Sequence, residues 1–112
     1  MILYHITPAK NLNSILKQGL IPNAGKGLTS DQKRKYIWLT DKPDYVLTQQ
    51  AGTEWIKRYK PYILTVNIEP YREQLKAYIT WAWDIPKVCP HEFFIESSIS
   101  SLDITNIEEV IL

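Results

Sequence analysis

Two side chains suited to acid–base or electrostatic chemistry stand at the edges of apolar runs: His5 in Tyr4-His5-Ile6-Thr7, and Glu92 in His91-Glu92-Phe93-Phe94-Ile95. An imidazole near a carboxylate can transfer protons, orient a substrate hydroxyl or stabilise a developing cation. Almost the whole sequence separates the two, so a site that uses both must be built across a split β-sheet. Trp38 and Tyr45 add aromatic faces able to hold a planar ring by stacking. Several other chemistries lack their residues, because the sequence contains no Gly-rich phosphate loop before a helix, no metal-spaced His pair and no Gly-x-Ser-x-Gly. The single cysteine, Cys89, excludes an intramolecular disulfide and a Cys-based zinc site, and is expected to pack as a small hydrophobe.

Each of these residues also has a plainer role. His5 fits a hydrogen-bonded interior histidine, and Glu92 fits a solvent-facing strand residue or the partner of a lysine. Trp38 and Tyr45 fit core packing, since aromatic side chains dominate small cores. Only their joint spacing raises the functional reading above the plain one.

The elements that must position these residues follow from local pattern. A length of 112 residues with 45% apolar and 22% charged side chains suits one globular domain. No apolar run approaches the roughly 18 residues of a membrane span, and no basic-then-apolar leader opens the chain, so no membrane partner and a cytoplasmic location are expected. A net charge of +1 gives little general attraction for nucleic acid. Lys26, Lys33, Arg34 and Lys35 nevertheless cluster in one segment, and Lys57, Arg58 and Lys60 in another. Such clusters are most often solvated faces, and the alternative is a phosphate-bearing ligand.

Ile2 to Ile6 reads as a first strand, and Thr7-Pro8 as an N-cap with proline at the first helical position. The spacing of Leu12, Ile15, Leu16 and Leu20, with Gly19 and Pro22 as stop signals, predicts a helix over about residues 8–18. Asn23 to Lys35 lacks apolar periodicity and reads as a mobile loop of the kind that covers sites. Tyr36 to Thr40 is a second strand, after which Asp41 or Asp44 caps a helix carrying Tyr45, Val46 and Gln49. Trp55 and Ile56 either extend that helix or start another after Gly52. Pro61 to Ile68 alternates cleanly and predicts a core strand closed by Pro70. Leu75 to Trp83 is rich in β-favouring types yet open between strand and helix. Phe93 to Ile95 with Ile99 suggests a strand pair or bent strand, and Ile104 to Leu112 a terminal strand.

Leu3-Tyr4-His5-Ile6-Thr7 followed by Asn11 through Pro22 resembles the start of ADP-ribosyltransferase domains of the His-Tyr-Glu branch, which includes the poly(ADP-ribose) polymerases. In organisation it is closer to their compact bacterial and phage relatives, and it also resembles RNA 2′-phosphotransferases and toxins that ADP-ribosylate DNA. Tyr36-Ile37-Trp38-Leu39-Thr40-Asp41 is similar to the second motif of that branch, and His91 through Ile99 to the third. The resemblance implies an α+β fold over residues 1–112, a small split β-sheet with helices packed at its sides. It also implies NAD as co-substrate, no metal, and mono-ADP-ribosyl transfer to a macromolecular acceptor, protein or nucleic acid. Under it, His5 bonds the ribose next to nicotinamide, the backbone of Ile6 grips the carboxamide, and Thr7 supports that turn. Trp38 takes the place of a stacking tyrosine, and Tyr45 adds a second aromatic wall. Glu92 holds the ribose 2′-hydroxyl and stabilises the oxocarbenium-like transition state, with Glu96 as a rival carboxylate. The phosphate-holding arginines of the phosphotransferases have no obvious counterpart outside Arg34, Arg58 and Arg72, which makes that activity the weaker option. A catalytically silent module of the same fold, binding a nucleotide or a host protein as an inhibitor, is the alternative.

Overall fold

β1 (Ile2–Thr7) lies near the middle of a six-stranded antiparallel sheet of order β4-β5-β2-β1-β3-β6, in a computed structural model that describes residues 1–22 and 36–111. The other strands are β2 (Ile37–Thr40), β3 (Tyr62–Asn67), β4 (Lys76–Ala82), β5 (Ile85–Ile95) and β6 (Ile104–Glu109). The helices are α1 (Leu12–Gln18), α2 (Pro43–Tyr45), which continues as a π-helical turn over Val46–Ala51, and α3 (Thr53–Tyr59).

Alternation along the strands sorts side chains onto two faces, and each face has its own apolar cover. Leu3, Leu39, Leu64, Val66 and Ile95 point to one side, where they bury against Leu20, Ile68 and Ile99 and against Leu12 and Ile15 on α1. Tyr4, Ile6 and Ile63 point to the other and pack against Leu47, Trp55 and Ile56 from the α2–α3 segment. Helices on both faces satisfy the apolar alternation of β3, whose Leu64 and Val66 are fully buried.

The sheet is joined unevenly. β1 pairs with β3 along its whole length, from Ile2 opposite Asn67 to Thr7 opposite Tyr62, whereas β1 and β2 share one paired position, Tyr4 with Thr40. Beyond that position the two central strands diverge, which divides the sheet into a β4-β5-β2 half and a β1-β3-β6 half. The open side of the divergence is lined by the end of β1, the start of β2 and α1.

Gly19 is the joint that holds α1 over this opening. Its φ of +79° is a conformation only glycine adopts without strain, its N–H caps α1 on the Ile15 carbonyl at 2.7 Å, and a Cβ there would collide with the Ile99 carbonyl. The next residue, Leu20, exchanges two backbone hydrogen bonds with Ile99, at 2.8 and 2.9 Å.

Some local expectations are corrected, and alternatives left open are decided. Thr7 is not a helix cap: it is the buried last residue of β1, and the turn that begins at Ala9 has Pro8 as its cap with no side-chain bond. Neither Asp41 nor Asp44 caps α2, whose N-cap is Lys42 with Pro43 at the first helical position. Trp55 and Ile56 belong to a separate helix after Gly52, where φ is +81°. Residues 76–82 resolve as β4, joined to β5 by Trp83 and Asp84, both at the positive φ that a two-residue hairpin turn requires. Phe93 to Ile95 is the end of the long β5, Ile99 lies outside any strand, and β6 stops at Glu109. Cys89 is half-buried, with Sγ 3.7 Å from the Thr80 hydroxyl. The 23–35 loop and its basic residues lie outside the described residues.

Candidate functional site

The diverging strands leave backbone groups that a continuous ladder would pair, and His5 supplies one missing partner. Its Nδ1–H donates to the Trp38 carbonyl at 2.7 Å, so the imidazole bridges the gap between β1 and β2. A carbonyl only accepts, so this bond fixes the tautomer and leaves the lone pair of the neutral ring on Nε2. Burial pushes the His5 pKa below its ordinary 6.5, and the carbonyl bond opposes that shift without overcoming it. His5 is therefore a neutral, oriented acceptor near pH 7.

A cleft of about 280 Å³ opens at this point, with His5, Ile6, Thr7, Asn11, Ser14 and Trp38 among its lining residues. That is slightly below the ~300–1,000 Å³ of typical small-molecule sites, enough for part of a ligand. Four of the expected residues, His5, Ile6 and Thr7 on β1 and Trp38 on β2, thus line one cleft. Asn11 and Ser14, which sequence reasoning does not single out, stand one helical turn apart on the α1 side, beside the apolar stripe of Leu12 and Ile15 that dominates the local pattern.

Trp38 also belongs to an aromatic cluster on the β4-β5-β2 half. Its ring meets Tyr78 edge-on at 4.9 Å and Phe94 at 5.8 Å, and Tyr36 packs on Phe94 at 4.4 Å. The edge contacts hold the indole upright between the cleft and the neighbouring strands.

Glu92 and Tyr45 do not line the His5 cleft. Glu92, half-buried, is paired with Thr40, which is itself paired with Tyr4, so the three occupy one row across β5, β2 and β1. Two ladder spacings put its backbone about 10 Å from β1. By alternation it shares the face of Trp38 and Phe94. Tyr45 packs instead against His91, with ring centroids 5.1 Å apart. Glu96 lies past the end of β5 and forms an exposed ion pair with Lys76 at 3.6 Å.

One step beyond the last β2–β5 pair stands a group that sequence reasoning quoted but did not use. His91 Nδ1 is 2.8 Å from Asp41 Oδ1, and His91 adopts a left-handed φ of +67° within β5. Fifty positions separate the partners, and only the strand register brings them together. At the end of α3, Tyr59 receives Lys10 and Arg58 over its ring at 5.6 and 5.3 Å, which accounts for Arg58 of the second basic cluster as packing.

Among the described residues no group of three or more His, Cys, Asp or Glu side chains could hold a metal ion, and no helix is long and apolar enough to cross a membrane. The chain matches no protein-family model and no curated protein sequence.

Proposed function

We propose that the chain is an NAD-dependent mono-ADP-ribosyltransferase acting on a macromolecular acceptor, with the nicotinamide end of NAD in the His5 cleft. The observation that carries the reading is the His5 bridge across the divergence of β1 and β2, with an aromatic wall at Trp38 and a carboxylate, Glu92, in the adjoining row of the same sheet. Neutral His5 accepts a ribose hydroxyl at Nε2, and the Ile6 backbone meets the carboxamide. The Glu92 carboxylate, on the Tyr4 face by the strand register while His5 is on the Leu64 face, reaches the ribose through the opening between β1 and β2.

Cleaving the bond between ribose and nicotinamide develops positive charge on the sugar. A fixed anion beside it stabilises the transition state more than the ground state, so it raises turnover rather than affinity. The polarity of Asn11 and Ser14 supports the reading, since both offer hydrogen bonds to a sugar or amide on the α1 side of the cleft.

A second reading is favoured by one observation: Glu92 is not on the wall of the cleft that holds His5. A catalytically silent module that binds NAD or another nucleotide as an inhibitor uses the cleft and leaves Glu92 idle. Incubation with labelled NAD⁺ and a cell extract separates the two. Label on macromolecules together with free nicotinamide supports transfer; binding by calorimetry with neither product supports the silent module; no binding and no product rejects both.

A further inference from the structure

We infer that His91, oriented by Asp41, is the general base that takes the proton from the acceptor nucleophile, an inference that rests on the transferase reading. Three features converge on this residue. The Asp41 carboxylate can only accept, so the 2.8 Å contact places the proton on Nδ1 and leaves the Nε2 lone pair of the neutral ring for a second partner. Tyr45 packs on the ring and limits its rotation. The residue immediately precedes Glu92, and its left-handed backbone at φ +67° breaks the strand alternation that would otherwise send neighbouring side chains to opposite faces. Conformations of this kind persist where the surroundings hold them, and they concentrate at functional sites.

The dyad has the form of a catalytic base with its orienting carboxylate. At 27% exposure the His91 side chain is reachable from solvent, and where His5 gives its Nδ1 proton to the Trp38 carbonyl, His91 turns its Nδ1 to a carboxylate. In the transfer step a bond forms between the acceptor oxygen or nitrogen and C1 of the ribose. The C1–nitrogen bond to nicotinamide breaks, with its electron pair leaving on neutral nicotinamide. The acceptor proton passes to His91 Nε2 and then to water. A base has work only where the nucleophile carries a proton at neutral pH. The acceptor is thus a hydroxyl or a neutral N–H group, not a carboxylate.

The test uses the full chain, labelled NAD⁺ and a cell extract, with His91→Gly and Glu92→Gln as variants. Glycine suits the positive φ and removes only the imidazole, and His91→Asn, which also tolerates that backbone, is the second variant should glycine loosen the strand. Removing the base is expected to slow label transfer about 100-fold, within the usual range for general bases, while NAD⁺ affinity stays within about twofold. Added imidazole restores transfer to His91→Gly and not to Glu92→Gln. The attached label survives neutral hydroxylamine, which cleaves acyl esters but not glycosides of hydroxyl or N–H groups. Wild-type rates in His91→Gly, no response to imidazole, or hydroxylamine-labile label each overturn the role of His91. A wild-type chain that yields neither transferred label nor nicotinamide overturns the transferase reading, and the base with it.

Discussion

The divergence between β1 and β2 and the point where β5 leaves β2 each hold one of the chain's two histidines, built in different ways. His5 gives its Nδ1 proton to a backbone carbonyl inside the fold, and burial keeps it neutral. His91 turns its Nδ1 to a side-chain carboxylate at a partly open edge, on a backbone that departs from the strand. The same ring thereby serves two purposes. A backbone partner within a packed sheet makes a fixed hydrogen-bonding post suited to holding a ligand. A carboxylate partner at a partly open edge orients the ring toward solvent-side partners. Glu92 follows His91 in sequence and begins the row that runs through Thr40 to Tyr4, the neighbour of His5.

The comparison breaks most severely at Gly19. Gly19→Ala puts a Cβ against the Ile99 carbonyl at a φ of +79°, so it should destabilise the fold by about 3 kcal/mol or more and open the His5 cleft before the Asp41–His91 pair is lost. Chemical denaturation with NMR signals from both imidazoles reads this directly. Next, Glu92→Gln removes the carboxylate that the proposed reaction needs. Loss of one preorganised electrostatic group costs about 10²–10³ in turnover, so nicotinamide release should fall by that factor with NAD⁺ affinity little changed by calorimetry. His5→Leu leaves the Trp38 carbonyl unpaired, a loss of about 1–3 kcal/mol of stability, and it should weaken NAD⁺ binding. A Leu variant that melts like wild type contradicts the bridging role.

The fourth prediction concerns pH. The unfolded chain binds a proton at His5 near 6.5, whereas the folded chain holds the ring neutral until a lower pH. The His5 contribution is therefore fully present above about 6.5, falls as pH drops through the window below it, and levels off once the folded imidazole protonates. Melting curves of wild type against His5→Gln should converge in that direction as the pH is lowered. The smallest effect is expected at the other histidine: Asp41→Asn removes a partly exposed contact worth about 0–1 kcal/mol, so the melting temperature barely moves while label transfer slows.

Periodicity made β1, β3 and α1 readable, because Leu64 alternating with Val66 and Leu12 spaced from Ile15 are local facts. Aromatic and branched residues favoured strand at 76–82 without deciding it, since the pairing with β5 that makes it a strand is not local. Thr7 and Asp41 show why cap signals misled. Thr7 is drawn into the ladder opposite Tyr62, and Asp41 is drawn to His91 across the end of the β2–β5 register. The candidate site was legible only in its first-strand half. His5, Ile6 and Thr7 from the opening motif and Trp38 from the second line one cleft, whereas the Asp41–His91 pair requires knowing which strands are neighbours. Tyr45, expected beside Trp38 as a stacking face for a ligand ring, instead contacts His91 for the same reason.

The most direct measurement is a crystal structure of Glu92→Gln soaked with NAD⁺. The nicotinamide ring should lie in the cleft beside Trp38, with a ribose hydroxyl on His5 Nε2 and the substituted residue 92 side chain at the same sugar. A dinucleotide bound elsewhere, or a cleft that stays closed to it at saturating concentration, would contradict the proposal that His5 and Glu92 serve one ligand.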